Sequence, residues 1–393
     1  MNLTAAQTNG PLITTIGERC KICYTCVREC PAKAIQLHEG QAQVLEERCI
    51  GCGNCVRVCS QDAKQVLDST TNVDELLADK QRPTAAIIAP SFPAEFPDTS
   101  PEQLVGMLKE VGFDFVNEVG FGADLVAQEY RKLMMSNSSS RFVATSCPAL
   151  VSYVERYFPQ LLPSLAPIVS PMIATARVLR KKHGDSIDVV FIGPCIAKKG
   201  EAGSPQLKGD IQSVLTFSEL RDMLEARKVL DRSVPPAGFD PPRAGLGALF
   251  PITRGLLQAA DIDEDLLTDE VVAADGRTNF VQAIREFADG HMEARLLEVL
   301  CCNGCIMGAG ITSDEPMFSR RNRVSKYVRQ RWSTVDKEIW QQDIAAYSDI
   351  DLKRSYKAYD QRIGQPSPKE LEKIMTKLGK ENPEDELNCG ACG

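Results

Sequence analysis

Two cysteine runs with one spacing constrain this chain more than any other feature of its sequence. Each run reads C-x2-C-x2-C-x3-C, and Pro31 follows the first run whereas Ser60 follows the second. The members are Cys20, Cys23, Cys26 and Cys30 in the first run and Cys49, Cys52, Cys55 and Cys59 in the second. This spacing is typical of two cubane [4Fe–4S] clusters, in which the last cysteine of each run ligates the cluster of the other. The runs therefore predict a small domain that folds around metal and carries electrons.

The exchange of the last cysteines predicts which thiolates bind which cluster. Three thiolates come from one tight loop, and small residues such as Gly51 and Gly53 allow that loop to wrap the cluster. The predicted sets are Cys20, Cys23, Cys26 and Cys59 for one cluster, and Cys49, Cys52, Cys55 and Cys30 for the other. Disulfides are not expected without a secretory leader, and zinc usually takes one C-x2-C pair from each of two distant loops.

Length and net charge limit the number of domains and the kinds of partner that this chain can have. The 393 residues allow two or three domains, and the net charge of −8 argues against a nucleic-acid partner. No apolar run is long enough to span a bilayer, so we expect no membrane association and a cytoplasmic location. The expected segments are a leader at 1–16, a two-cluster ferredoxin-like domain at 17–68, a linker at 69–82, an α/β domain at 83–316, a helical tail at 317–380, and the start of a truncated further Fe–S module at 381–393.

The larger domain alternates predicted strands with predicted helices. Apolar runs at Ala85–Ala89, Phe142–Thr145 and Ile187–Gly193 are typical of buried strands. Helices are predicted to begin at Ser100, with Gln103 completing a capping box, and at Thr216 in the same way. Alternation of this kind predicts parallel sheets.

A second group of cysteines lies in this domain. Cys147 and Cys195 each follow a predicted strand, and Cys301, Cys302 and Cys305 stand close together further on. Sites in open α/β sheets form at the carboxyl ends of strands, so four of these thiolates can hold one more cubane. Buried free cysteines are also common core residues, and spacing alone leaves both interpretations open.

Three segments around these cysteines resemble the signature motifs of iron-only ([FeFe]) hydrogenases. They are Thr145–Pro148, Gly193–Glu201 and Cys301–Gly308, supported by Ala89–Ser91, Phe121–Leu125 and Gly245–Gly255. The resemblance runs from about residue 17 to residue 312. It implies a catalytic domain of two α/β lobes with mostly parallel sheets. Between them would lie the H-cluster, a [4Fe–4S] cube joined by one cysteine to a diiron unit with CO, cyanide and a dithiolate amine.

The resemblance also implies roles for individual residues. The cube would be held by Cys147, Cys195, Cys301 and Cys305, with Cys305 bridging to the diiron unit. Cys302 is the rival of Cys301, because Glu298 is displaced by one residue from its usual place. Lys198 would donate to one cyanide, and Ala89 and Pro90, with the Ser91 hydroxyl, would hold the other.

Departures from the family's pattern concern proton transfer. Ser146 stands where the prototype has a cysteine that passes protons, and a hydroxyl is a far weaker acid than a thiol, which titrates near 8.5. Glu201 matches a proton-path glutamate, whereas Tyr130 and Leu133 stand near the prototype's glutamate pair. Ser146, Lys198 and Glu201 are the candidate catalytic residues. Gly193 replaces a methionine of the prototype.

These departures resemble divergent branches that include sensory hydrogenases. Cys389 and Cys392 resemble the start of another cluster module, such as precedes a signalling output in sensory members. The sequence predicts reversible H2 oxidation and proton reduction at low turnover, serving H2 sensing. A high-turnover ferredoxin-linked hydrogenase is the alternative, and an iron–sulfur carrier or assembly factor without the diiron site is an alternative of another class.

The expected partners follow from this interpretation. They are H2 and protons, ferredoxin or another electron-transfer protein, hydrogenase maturases, and a downstream signalling module. The oligomeric state stays open, with a homodimer as one alternative.

Overall fold

The two cysteine runs build a small α+β unit at the start of the computed structural model, which describes residues 10–136, 139–364 and 366–385. Its elements are β1 (Ile13–Thr15), α1 (Thr25–Arg28), β2 (Ile35–His38), β3 (Gln41–Val44), α2 (Asn54–Arg57) and β4 (Lys64–Val66). Strand β1 pairs antiparallel with β4, and β2 pairs antiparallel with β3. Each helix carries the third cysteine of its run, so the two runs have the same local structure.

The rest of the described chain alternates helices and strands. Its elements are α3 (Thr70–Ala78), β5 (Thr84–Ile88), α4 (Phe92–Glu95), α5 (Pro101–Val111), β6 (Phe115–Glu118), α6 (Val119–Met135), β7 (Phe142–Val143), α7 (Pro148–Tyr157), α8 (Pro171–His183), β8 (Asp188–Gly193), α9 (Ala197–Ala202), β9 (Ser213–Thr216), α10 (Phe217–Ala226), α11 (Gly255–Ala260), β10 (Val271–Asp275), α12 (Arg277–Ala288), β11 (Leu296–Leu300), α13 (Met317–Thr334), α14 (Lys337–Ala346) and α15 (Pro368–Lys377). None of the helices within the described ranges is long and apolar enough to cross a membrane.

The larger part has two lobes, each built on a parallel sheet. One sheet has the strand order β6-β5-β8-β9 and the other has the order β10-β11-β7. The predicted fold class, an α+β two-cluster unit before an α/β domain of two lobes with parallel sheets, is therefore confirmed. Cysteines follow the carboxyl ends of β7, β8 and β11, so these strand ends bring them to one place.

One predicted capping box forms only in part. The Gln103 amide donates to the Ser100 hydroxyl as expected (3.1 Å), but the Gln103 side chain does not return to the cap. Its Nε2 donates instead to the Val234 carbonyl (2.8 Å) in the loop that follows α10. The predicted box at Thr216 does form, with Glu219 as its partner.

Glycines bring the two-cluster unit into close contact with the larger part. A side chain on Gly53 (φ +72°) would place its Cβ 2.4 Å from the Ala309 Cβ. A side chain on Gly51 (φ +68°) would come within 3.0 Å of the Ala197 backbone, at the start of α9. Both glycines adopt the left-handed conformation that side chains disfavour, so the loops of the second run need glycine for two reasons.

Helix α13 covers the first lobe and pairs two of its arginines with glutamates. Arg331 lies 3.0 Å from Glu118 and Arg323 pairs with Glu315. The Tyr327 hydroxyl also donates to Glu118 (2.6 Å). These contacts make this side of α13 an acid-paired face.

Residues 352–361, which we call the strap, run in extended form across the molecule. The amide of Val169 donates to the Leu352 carbonyl (2.9 Å), and the amide of Tyr359 donates to the Glu155 carbonyl (2.9 Å). The strap ends at the two-cluster unit, where Arg48 donates to the Gln361 carbonyl (2.7 Å). One segment therefore contacts both parts of the molecule.

Candidate metal centre

The eight cysteines of the two runs separate into two groups in space. Cys26 has Cys20, Cys23 and Cys59 as its neighbouring thiols, and Cys55 has Cys52, Cys49 and Cys30. The structure thus brings together the same fours that the sequence predicts as ligand sets. Burial raises the pKa of both Cys26 and Cys55, because a thiolate in apolar surroundings loses its hydration.

The two groups lie at different distances from the larger part. Cys23 of the first group is exposed to solvent. Cys30, Cys49 and Cys52 of the second group instead pack against the core of the second lobe. The first group therefore reaches solvent at Cys23, and the second group packs against the larger part.

A cavity between the lobes collects the second set of cysteines. It has a volume of about 90 Å³ and is lined mainly by apolar atoms. The cysteines on its wall are Cys52, Cys147, Cys195, Cys301, Cys302 and Cys305. Burial, with repulsion from Cys147, raises the pKa of Cys195 to about 12. So many thiols in one apolar cavity are costly to ionise unless a metal compensates their charge.

Cys301 and Cys302 face different neighbours, although they are adjacent in sequence. Cys301 is 1% exposed, and the neighbouring Cys52 thiol, together with burial, raises the pKa of Cys301. Burial raises the pKa of Cys302 too, and the thiols that act on it next are Cys195, Cys147 and Cys305. Both cysteines line the cavity, but Cys302 is the one that has Cys195 and Cys305 among its neighbouring thiols, and these neighbours favour Cys302 as the fourth member of the cavity set.

The spacing of these thiols does not suit a single metal ion. Among residues 10–136, 139–364 and 366–385, no group of three or more His, Cys, Asp or Glu side chains is placed to hold one. A cubane of four irons and four sulfides holds its thiolates further apart than one ion does. The donor set and the room between the lobes therefore fit a cluster.

Two serine hydroxyls in the cavity wall have no hydrogen-bond partner among the residues that the structure describes. Ser91 and Ser146 both line the cavity, and each Oγ is buried and unsatisfied. A buried polar group without a partner is unfavourable, so such atoms indicate a ligand that the site is built to hold. Ala89 and Pro90 line the same wall. The cavity thus offers thiols for iron and separate polar groups for a further part of the cofactor.

Lys198 also lines the cavity, within a buried network of charges. Its Nζ lies 2.6 Å from Glu201 and 2.8 Å from the Ser170 hydroxyl. Arg354 of the strap lies 2.7 Å from the other oxygen of Glu201, whose side chain is fully buried. Burial opposes ionisation of Glu201, but Lys198 and Arg354 outweigh it and lower the pKa of this carboxyl. The sequence did not point to Arg354, because it is far away in the chain and carries no motif.

Tyr130, which stands near the place of the prototype's glutamate pair, belongs to a closed hydrogen-bond network. Its hydroxyl lies 3.0 Å from the Thr145 hydroxyl and accepts from the Thr145 amide (2.8 Å). The Thr145 hydroxyl is also within reach of the Ala166 (3.1 Å) and Ile168 (2.9 Å) carbonyls. Burial raises the pKa of Tyr130 to about 12. A phenol in this state is a poor substitute for a carboxylate in proton transfer.

Gly193 leaves no room for the methionine of the prototype. A Cβ at this position would lie 2.8 Å from the Ala89 Cβ and 2.6 Å from the Phe191 ring. Met172 is fully buried and lies on the cavity wall. The packing around position 193 therefore suits glycine and has no space for a larger side chain.

Comparisons with known proteins agree with this geometry. The family model "Iron only hydrogenase large subunit, C-terminal domain" matches residues 82–309, and the model "4Fe-4S dicluster domain" matches residues 12–60. The periplasmic [Fe] hydrogenase large subunit of Nitratidesulfovibrio vulgaris is 31% identical, over 62% of this chain and 65% of the relative. The cytosolic Fe–S cluster assembly factor NAR1 of Yarrowia lipolytica is 27% identical, over 30% of this chain and 28% of the relative.

The fold is also found among solved structures. A variant of the [FeFe]-hydrogenase HydA1 from Chlamydomonas reinhardtii has a TM-score of 0.60 at 17% identity and covers 73% of this chain and 99% of its own. The chain spans 44%, 42% and 65% of the length of three curated hydrogenases that it matches. Because one family model covers more than half of its length, the chain belongs to the iron-only hydrogenase large-subunit family.

Proposed function

We propose that this protein catalyses reversible oxidation of H2 to two protons and two electrons, at low turnover, and that it serves as an H2 sensor. The observation that carries the proposal is the cavity in which buried thiols meet Lys198 and the unpartnered hydroxyls of Ser91 and Ser146. Thiols alone suit any cubane, but a second set of polar groups is needed only if the cofactor extends beyond the cube.

The cavity residues are assigned to two parts of an H-cluster. Cys147, Cys195 and Cys305 hold the cube together with Cys301 or Cys302, of which the contacts favour Cys302. Lys198 on one side, and Ala89, Pro90 and Ser91 on the other, hold the diiron unit. When bound, the diiron unit supplies the metal at which H2 is split or formed. The protein holds this unit in an apolar wall that excludes water.

Electrons pass through the two-cluster unit. Cys52 belongs to the second group of the unit and also lines the cavity, so the second cluster is next to the site. The first group carries electrons to the surface at Cys23. A ferredoxin or another small electron-transfer protein fits there as the partner.

Proton transfer is the step that this chain supports least. The Ser146 hydroxyl is a weak acid, Glu201 is held as a carboxylate between two cations, and Tyr130 is committed to Thr145. A group that moves protons well has a pKa near the working pH. None of these three groups meets that condition, which supports low turnover and hence a sensory role over the high-turnover alternative.

Infrared spectroscopy of protein made together with hydrogenase maturases tests the proposal. We expect bands of CO and cyanide, and slow H2/D+ exchange. A protein with full iron but without such bands and without exchange would contradict hydrogenase function. Rapid exchange with the bands present would retain the enzyme and reject the low-turnover sensory role.

An iron–sulfur carrier or assembly factor is the second candidate. The similarity to an assembly factor over about a third of the chain favours it. It predicts iron for cubanes alone in fully matured protein, and it leaves the hydroxyls of Ser91 and Ser146 without a function. The cytoplasmic location and the downstream signalling module are parts of the proposal that fractionation and the full gene would test.

A further inference from the structure

The internal repeat places a cation where its first half has an apolar residue. Ile35 stands five residues after Cys30, and Lys64 stands five residues after Cys59. Both residues begin a strand, and both are buried, with 8% and 7% of their surface exposed. Lysine is rarely buried to this degree unless it is paired, so its presence calls for a compensating charge.

Neutral groups are the direct partners of the Lys64 ammonium. Its Nζ donates to the Thr15 hydroxyl and to the Ala42 carbonyl, each at 2.6 Å. No carboxylate in the part of the chain that the structure describes forms an ion pair with Lys64. Two neutral acceptors fix the position of the ammonium but do not balance its charge.

The charge of Lys64 reaches cysteines of both runs. The Lys64 charge acts on Cys26 and on Cys55, which are the buried cysteines of their runs. Ala42, whose carbonyl accepts from Lys64, packs in the same cluster of side chains as these two cysteines. The ammonium therefore lies beside one ligand position of each predicted cubane.

We propose that Lys64 is a buried counter-cation shared by the two [4Fe–4S] clusters, and that it raises the reduction potential of both. Each cluster with its thiolates gains one negative charge on reduction, and a fixed cation close by stabilises the reduced state more than the oxidised state. Net charge around a cluster is one of the factors that set its potential. Higher potentials favour the withdrawal of electrons from the catalytic cavity, which suits H2 oxidation more than H2 production.

This inference rests on the two-cluster domain and not on the proposed hydrogenase activity. It therefore holds or fails on protein without the diiron unit. The experiment is a redox titration, followed by electron paramagnetic resonance, of the full chain whose cubanes are reconstituted with iron and sulfide. Iron content is measured for each variant.

Three substitutions separate charge from structure. Lys64→Met removes the charge, Lys64→Gln removes it but keeps hydrogen-bonding groups near Thr15 and Ala42, and Lys64→Arg keeps it. We expect the first two to shift the midpoints of both clusters to more negative values, whereas Lys64→Arg stays close to the unchanged protein. Lys33→Met is the matched control, because Lys33 is an exposed cation near Cys30 and water screens its charge. It should shift the midpoints by less.

The outcomes divide clearly. Unchanged midpoints in Lys64→Gln with full iron would overturn the proposal. Loss of iron from Lys64→Met and Lys64→Gln but not from Lys64→Arg would support it, since the charge would then be needed to hold the clusters. Loss of iron from all three would overturn it in favour of a purely structural lysine. Failure of the proposed hydrogenase function would show in the infrared bands and leave these midpoints unaffected.

Discussion

At the scale of single residues, Ser146 is the departure with the clearest chemical consequence. Its hydroxyl lines the cavity next to Cys147 without a partner, so the position is available to a group that can donate a proton. A thiol is a stronger acid than a hydroxyl, and it stays so when burial raises the pKa of both. Ser146 thus gives this wall of the cavity a weak acid where a cysteine would give a stronger one.

Replacing Ser146 should therefore accelerate the reaction. We expect Ser146→Cys to raise the rate of H2/D+ exchange by at least about tenfold, since a positioned acid or base contributes roughly a hundredfold or more. The gain stays below the full effect because Tyr130 does not continue a proton path. Ser186→Cys, at an exposed position outside the cavity lining, is the control. An unchanged rate with intact infrared bands would show that proton transfer at this position does not limit turnover.

The adjacent pair Cys301 and Cys302 gives a second residue-scale prediction. We expect Cys302→Ala to lose about a third of the iron of protein reconstituted with three cubanes, whereas Cys301→Ala keeps it. The reason is that Cys301 contacts Cys52, while Cys302 shares its surroundings with Cys147, Cys195 and Cys305. Iron and sulfide analysis measures the difference. The reverse pattern would assign the cube to Cys301.

At the scale of elements, the loop of the second cysteine run has no room for a side chain. Gly53→Ala should lower the thermal midpoint of the cluster-loaded protein, since left-handed strain and overpacking against Ala309 each cost about 1–3 kcal/mol. Gly209→Ala is a matched control, because Gly209 also has a positive φ (+94°) but no atom within 4 Å of the added Cβ. An equal decrease of the thermal midpoint in the two variants would mean that Ala309 moves aside for the added methyl group without a measurable cost.

Helix α6 carries a buried acid whose protonation should show in stability. Asp124 accepts from the amides of Gly245 and Gly247, both at 2.6 Å, yet burial raises its pKa to about 7. In the unfolded chain this carboxyl loses its proton at about pH 4. Between about pH 4 and about pH 7 the folded state therefore binds more protons than the unfolded state. The free energy of unfolding should therefore fall as the pH rises through this range.

Urea unfolding at several values between about pH 5.5 and about pH 8 checks this sign. In Asp124→Asn the free energy of unfolding should fall less steeply with pH than in the unchanged protein. The difference in slope should be up to about 1.4 kcal/mol per pH unit at pH values below about 7. The fall should not vanish, because burial also raises the pKa of Glu298 to about 7. Identical slopes in the two proteins would show that Asp124 is ionised throughout.

The elements also show what a sequence can reveal about its fold. Strands β5 and β8 were predictable because they are apolar after their first residues, Thr84 and Asp188, as is typical of parallel strands covered on both faces. Strand β6 ends in Asn117 and Glu118, and these side chains are buried through partners far along the chain, Asp240 and Arg331 among them. Such partners are invisible in a local pattern. For the same reason the sequence did not reveal that the Gln103 side chain donates to the Val234 carbonyl and leaves the predicted capping box incomplete.

The candidate site divides in a similar way. Its cysteines, Lys198 and Ser91 stand in short motifs at strand ends, and the structure brings these predicted residues to the wall of one cavity. Arg354 and the pairing of Cys301 with Cys52 depend on segments that meet only in the folded chain. The sequence gives the type of each residue, but it does not show which distant residues come together in the folded chain.

At the scale of the whole molecule, the strap joins three places that are distant in sequence. It lies against the second lobe, it contacts the two-cluster unit at Arg48, and through Arg354 it reaches the carboxylate that holds Lys198. Breaking one partner of a buried ion pair costs about 3–5 kcal/mol, so the strap cannot leave without disturbing Glu201. The lining of the cavity and the attachment of the strap are therefore energetically connected.

Such a connection works in both directions, because a coupling free energy is reciprocal. Whatever alters the hold on Lys198 in the cavity must alter, by the same free energy, how firmly the strap is attached. Conversely, a change in how the strap is attached at Arg354 alters the contacts of Glu201, and through them the position of Lys198. The attachment of an outer segment is therefore a place at which events in the buried cavity can be measured.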